Sequence, residues 1–325
     1  MVAENLLLLK EERTLDKNVS SRMKGVLILL IILGHNSVLT KCVPGLFSYL
    51  YSFHVILFFI LPWFYNHNKP TLRKSLKRCA KLYGYYTLFF VIQIVAYNVL
   101  IENNFSLENS LHAFVVGGHH ALKVVTGYEY LWFIPAFCVS MLMCDLYLCV
   151  PVRRRVYINI LALIIVCVFT QLRYQDYNAL IQGVFFAAIG IIATIMYNRV
   201  FVYVNKTVSI ILVIIASAIF VITPFDSCVA LIMPFIAFFA LWNICELYGS
   251  RGKWIARIGS LSMLIYLIHP LIFQLLIRVI PSIANQLLYG VCILVLTIAI
   301  SVPVSYFINK EIIKRHCKGV FRGTR

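Results

Sequence analysis

Long apolar runs alternate with short clusters of charge along the whole chain. Ten stretches reach or approach the about 20 mostly apolar residues that a helix needs to cross a hydrocarbon core. They are 26–43, 46–65, 82–101, 130–150 and 156–172, then 179–197, 207–223, 228–247, 258–280 and 287–308. Open strands leave backbone groups unsatisfied in lipid, so each run predicts a helix. The pattern as a whole predicts an all-α, polytopic transmembrane bundle of about ten helices.

The charges between these runs sort onto two sides. One alternating set of segments holds Lys10, Arg13, Lys17, Arg22 and Lys24, then Lys69, Arg73, Lys74, Lys77, Arg78 and Lys81. It continues with Arg153, Arg154 and Arg155, with Arg199 and Lys206, and with Arg251, Lys253 and Arg257. The tail adds Lys310, Lys314, Arg315, Lys318, Arg322 and Arg325, so this set carries 25 of the 29 basic residues. Only Lys41, Lys123, Arg173 and Arg278 fall in the other set. Basic loops mark the cytoplasmic side, which predicts both termini there: a cytoplasmic segment over 1–23 and a basic tail over 309–325. A wrong helix count would have scrambled the alternation. The connections are too short for a second domain, so residues 1–325 are expected to form one integral membrane domain. The longest outer connection, 102–129, carries His112, His119 and His120 and is expected to be a solvated loop.

Composition agrees and excludes the other classes. The chain is 62% hydrophobic and 13% charged, where a soluble domain is about half apolar and a quarter charged. With a mean hydropathy of +0.89, a soluble enzyme, a nucleic-acid-binding domain and a disordered chain are all ruled out. The net charge of +17 therefore belongs to membrane topology, and no nucleic-acid partner is expected. The ten cysteines form no CxxC pair or other metal spacing, and most sit in apolar runs as small hydrophobes. No metal is expected. The apolar run 6–9 is followed by charge with no small-residue cleavage site, unlike a signal peptide.

Against this background, polar residues inside the apolar runs stand out, because they are costly at bilayer depth. His35 lies near the middle of the first run, and Lys24 precedes it by eleven residues, close to three helical turns. Both side chains thus leave one helix face, about 16 Å apart along the axis. A cation at the inner rim and a central imidazole suit a long anionic donor reaching inward. A His bonded to a neighbouring helix beside an ordinary topology-setting Lys explains the pair equally well. His54 and His269 fall at similar depth in other runs, and Tyr266 shares a face with His269 at spacing i, i+3. Three central imidazoles on different helices suggest one polar cavity. Lys74, Lys77 or Arg78, and Lys81 form a basic stripe that can clamp phosphates, bind anionic lipid or fix topology. Trp132 and Phe133 can line an acceptor site or belong to an aromatic belt. No carboxylate stands near His35 in sequence, so an orienting partner has to come from another helix.

These residues together resemble the acyltransferase-3 family of membrane acyltransferases, which includes O-antigen and exopolysaccharide O-acetyltransferases and fucose acetylase-like proteins. Its first helix carries Arg or Lys, ten residues, then His, as Lys24 and His35 do. Its FH-x-x-x-FF element matches Phe53, His54, Phe58 and Phe59, and its R-x-x-R is met by Arg78 and Lys81. Trp132 and Phe133 match a WF-aromatic element. The late G-x-x-S-x-x-x-Y-x-x-H matches Gly259, Ser262, Tyr266 and His269. Motif order and helix count agree over nearly the whole chain. Departures are Leu61-Pro62 where Ser-Gly usually follows the FF pair, Ser21 in a position often acidic, and Lys81 for the second Arg. No appended extracytoplasmic hydrolase-like domain is apparent.

The resemblance implies a multi-pass protein of the bacterial plasma (inner) membrane, surrounded by membrane lipid. It would move an acyl group, usually acetyl, from cytoplasmic acyl-CoA to a hydroxyl of a cell-surface glycan or a lipid-linked saccharide precursor. Acetyl-CoA would be a donor substrate, with no cofactor bound permanently. Lys24, Arg78 and Lys81 would bind acyl-CoA. His35 would be the catalytic base, or a nucleophile forming an acyl-histidine, with His54, Tyr266, His269 and Trp132 in support. The competing reading is a glycolipid or polysaccharide flippase or transporter without acyl-transfer chemistry. Inverted repeats or paired broken helices would mark it, and neither is evident in the sequence. A glycan polymerase fits less well, because the outer connections are short and poor in Arg.

Overall fold

The computed structural model describes residues 15–65, 72–100, 105–171, 178–199, 205–222 and 228–322. Among them there is no strand; all regular elements are helical. In chain order they are α1 (Lys17–His35), α2 (Ser37–Cys42), α3 (Leu46–Tyr51), α4 (His54–Ile60), α5 (Leu72–Leu100), α6 (Leu107–Val116), α7 (His119–Thr126) and α8 (Phe133–Cys149). There follow α9 (Val152–Gln171), α10 (Ala179–Arg199), α11 (Lys206–Ile222), α12 (Cys228–Leu247), α13 (Lys253–Ser260), α14 (Ser262–Val279) and α15 (Gln286–Arg322). Short 3₁₀ turns at Leu61–Phe64, Tyr130–Trp132 and Gly249–Gly252 join neighbours. The apolar run 6–9 and the basic residues Lys10, Arg13, Lys69, Arg173 and Arg325 lie outside the described residues.

Among the described residues, six segments combine the length and hydropathy of a membrane crossing: Leu46–Phe64, Leu72–Asn98, Tyr130–Cys149, Ala179–Arg199, Ser262–Val279 and Gln286–Glu311. Lys206–Phe220 and Ile232–Leu247 are apolar but shorter. Apolar side chains also stand exposed at helical spacing, as Leu88, Val91, Ile92 and Val95 do on α5. Water does not tolerate such faces over large areas, whereas lipid does. The chain is a polytopic helical membrane protein.

Several expected elements differ in detail. The run 26–43 is cut at Asn36 into α1 and α2. The run 156–172 lies in α9, which opens on Arg153, Arg154 and Arg155. These two are the expected crossings that meet neither the full nor the shorter description. The run 258–280 is divided at Leu261, leaving 258–260 on the short α13. The expected loop 102–129 contains two helices instead. Ser106 caps α6 by accepting from the Asn109 backbone N–H at 3.3 Å. Gly117 at φ 60° and Gly127 at φ 69° then end α6 and α7. Only glycine adopts that backbone freely, so these punctuation residues turn a polar connection into two short helices.

The chain divides into two compact units, with the division inside α4. The first joins Leu15–Phe58 to the described residues from Asn205 onward. Here α1 is packed on several sides, by α12, α13, α14 and α15, which explains why Met23, Leu27, Ile28, Ile31 and Ile32 are all buried. Asp16 starts α1 by accepting from the Asn18 and Val19 N–H groups at 2.8 and 3.2 Å. The contact with α13 is closest at two glycines: a Cβ on Gly25 would overlap the Ile255 carbonyl, and one on Gly259 the Ser21 carbonyl.

The second unit runs from Phe59 to Arg199 among the described residues. There α8 packs between α5 and α10, and α9 packs on α10. Its centre is aromatic. Phe59 stacks on Phe186 with centroids 4.1 Å apart and meets Phe133 edge-on at 5.0 Å.

Candidate active site

In the first unit, His35 is the last residue of α1, and its position follows from the residue after it. Asn36 leaves the helix at ψ 89°. Its Oδ1 caps α2 by accepting from the Leu39 N–H at 3.1 Å, while its Nδ2 donates to the Gly290 carbonyl of α15 at 2.8 Å. Both ends of this buried amide are used, so the break is fixed on two helices at once. Sequence reasoning missed Asn36. The available signal was a lone Asn between a His and a Ser within an apolar run, a residue that prefers caps to helix interiors.

Against His35 stands His269 of α14. His35 Nδ1 and His269 Nε2 are 2.8 Å apart. The ring planes are 9° from parallel with centroids 5.1 Å apart. That spacing matches the hydrogen bond plus the two ring radii, so the rings lie side by side in nearly one plane. On its other side, His269 Nδ1 donates to the Ile265 carbonyl at 2.9 Å. Pro270 follows directly and has no N–H for the Tyr266 carbonyl one turn back, which opens the α14 ladder at this turn. Tyr266 is buried, with its ring centroid 6.1 Å from that of His269.

A second interruption brings the third imidazole. Between α3 and α4 the chain passes through Ser52 and Phe53, with Ser52 Oγ donating to the Tyr49 carbonyl at 2.7 Å. His54 then opens α4, and its Nδ1 donates back to the Leu50 carbonyl of α3. Its Nε2 is buried and has no hydrogen-bond partner among the described residues. The ring lies on α1, where an added Cβ on Gly34 would come 3.6 Å from His54 Nε2. Tyr51 sits beside both imidazoles, with centroids 4.8 Å from His54 and 6.2 Å from His35. Sequence reasoning did not single out Tyr51; nothing distinguishes it locally from the other aromatics of 47–53.

The structure thus gathers His35, His54, Tyr266 and His269 in one unit. Lys24, half-buried, lies on the same helix as His35. The remaining candidates belong to the other unit. Arg78 projects from α5, and its Nη2 lies 3.6 Å from Asp145 Oδ2 of α8. Asp145 is buried and also accepts from Ser75 Oγ one turn earlier on α5. Lys81 is exposed and places its Nζ 5.9 Å from the centre of the Tyr85 ring. Trp132 is buried, with centroids 4.5 Å from His119 and 6.2 Å from Phe59. His119, expected in a solvated loop, therefore heads α7 against the Trp132 ring instead. No group of three or more His, Cys, Asp or Glu placed to hold a metal occurs among the described residues.

Chemically, the first unit offers imidazoles bonded to carbonyls and to one another. Carbonyl oxygens only accept, so each bond to one fixes a proton on the ring nitrogen that faces it. Imidazole is the side chain best suited to exchange protons near neutral pH.

Among protein families, a model described as an acyltransferase domain matches residues 21–306. No curated protein matches the chain, and no solved structure does.

Proposed function

The chain belongs to the acyltransferase-3 family of membrane acyltransferases, and from that premise we propose that it moves an acetyl group from cytoplasmic acetyl-CoA to a glycan hydroxyl. The acceptor is a cell-surface glycan or its lipid-linked precursor. The setting is the bacterial inner membrane, with both termini in the cytoplasm, a reading supported by the partition of 25 of 29 basic residues. Lys24, Arg78 and Lys81 supply cations for the phosphates of CoA, and Trp132 serves the acceptor side.

The observation that carries the chemistry is the His35–His269 pair at 2.8 Å. His35 acts as general base. As the acceptor oxygen attacks the thioester carbonyl, the hydroxyl proton passes to His35 and a C–O bond forms. The tetrahedral intermediate then collapses, the C–S bond breaks, and the proton on His35 goes to the departing CoA sulfur. Hydroxyl and thioester become ester and thiol, with the imidazole restored. Apolar walls around the site keep bulk water from the thioester.

One feature is shared with the transporter reading: both α1–α2 and α3–α4 are interrupted helices, of the kind that line substrate sites in transporters. Thioester consumption separates the two. Purified protein in lipid nanodiscs, given acetyl-CoA and a glycan acceptor, should release free CoA thiol in step with ester formation. His35→Gln, which keeps a hydrogen-bonding side chain but no basic nitrogen, should lose about 10²–10⁴-fold of that rate. Acetyl-CoA binding without turnover by the wild type would favour the transporter. Near-normal turnover by His35→Gln would remove His35 from the chemistry.

A further inference from the structure

Resting on that reading of His35, we propose that His269 is its positioning residue: it transmits the Ile265 carbonyl's demand for a donor to His35, and so selects which His35 nitrogen is basic. The Ile265 oxygen can only accept, so His269 carries its proton on Nδ1. A neutral His269 then has its lone pair on Nε2, the atom 2.8 Å from His35. His35 must meet that lone pair with a proton on its own Nδ1. The basic lone pair of neutral His35 is thereby fixed on Nε2, the nitrogen turned away from His269. One backbone carbonyl sets the tautomers of two rings in series.

The consequence is functional because the two nitrogens of an imidazole are not equivalent in place. A base whose lone pair faces a neighbouring ring cannot take a proton from a substrate. The arrangement does what a buried carboxylate does for the histidine of a catalytic triad, holding tautomer and orientation. It does so without a negative charge. A carboxylate would strongly stabilise an imidazolium; a neutral ring does so less. The proton taken up on Nε2 is thus readily given up again, which suits transfer to a departing thiolate. The local sequence supports the geometry. Asn36 stops α1 directly after His35 and ties that point to Gly290. Pro270 opens the turn of α14 from which His269 reaches back to Ile265.

The test reads the tautomer directly. The full chain is labelled with ¹⁵N-histidine and studied by solid-state NMR in nanodiscs, with His35 assigned by loss of its signals in His35→Gln. The expected wild-type signature is a protonated Nδ1 and an unprotonated Nε2 on His35. In His269→Leu, which removes the acceptor, that signature should be lost, and kcat should fall roughly 10–100-fold with little change in KM for acetyl-CoA. His269→Gln can again present a carbonyl oxygen to His35 Nδ1 and should recover part of the rate. A wild-type His35 protonated on Nε2 overturns the proposal before any His269 variant is made. An unchanged tautomer in a folded His269→Leu overturns it too. In both cases an inactive His35→Gln would leave the base itself standing, so the two failures are distinguishable.

Discussion

Arg78 is paired with a buried acid yet remains open to solvent. Its side chain is 47% exposed while that of Asp145 is 5% exposed. An ion pair open to water on one side contributes little by itself. The buried carboxylate nevertheless needs its partners, and Ser75 and Arg78 supply them. Asp145 thus fixes one edge of a half-exposed guanidinium, which on the proposed reading turns its remaining donors to the CoA phosphates. Arg78→Ala is expected to weaken acetyl-CoA binding about 10- to 150-fold, the equivalent of one charge-assisted contact of about 1.5–3 kcal/mol. Calorimetric titration in nanodiscs measures it, with a melting curve to show that the bundle persists. Unchanged affinity would leave Arg78 as a partner of Asp145 alone. At this scale the sequence singles out polar residues in apolar runs and is silent about how they meet. His35 and His269 stand out as imidazoles in apolar runs. Their bond joins positions 234 apart, and no local spacing encodes it.

At the scale of elements, glycines decide how closely helices approach. Gly259 packs where a Cβ would overlap the Ser21 carbonyl, and Gly25 where it would overlap that of Ile255. The obstacle in both cases is backbone, which cannot rotate aside. Gly259→Ala should therefore push α13 away from α1 and lower stability by about 1–3 kcal/mol, the usual cost of overpacking. Gly84 provides the control, since it lies within α5 with open space around its missing Cβ. Gly84→Ala should be neutral or stabilising by up to about 1 kcal/mol, because alanine is the better helix former. Thermal unfolding of both variants in the same detergent checks the contrast; equal shifts would contradict it. The apolar runs made most helices legible, but not their interruptions. Asn36 and Leu261 break runs whose hydropathy is continuous, since a break costs little where a side chain or a neighbouring helix satisfies the freed groups. The helices α6 and α7 were hidden for the opposite reason. They are short and polar enough to resemble a loop, and only the glycines at their ends give them away.

At the scale of the whole molecule, the charge partition is the strongest long-range signal in the sequence, because it depends on every crossing at once. It does not reveal the two compact units, whose boundary inside α4 follows from packing and leaves no mark in composition. It does predict sidedness, and α8 allows a local test. Lys123 belongs to the sparse set and Arg154 to the rich one. Between them the described chain contains one candidate crossing, Tyr130–Cys149, at 20 residues. Both residues are exposed, so a cysteine at either should react with a membrane-impermeant maleimide from whichever side it faces. The native thiols at Cys149, Cys167 and Cys292 are exposed and would first be replaced by serine or alanine. Lys123→Cys should then label in intact cells, and Arg154→Cys only after the membrane is opened. Labelling of both from outside would mean that α8 does not cross, and the cytoplasmic placement of the basic set would fall with it. With the expected result, the cations of α5 face the cytoplasm, as the proposed donor binding at Arg78 and Lys81 requires.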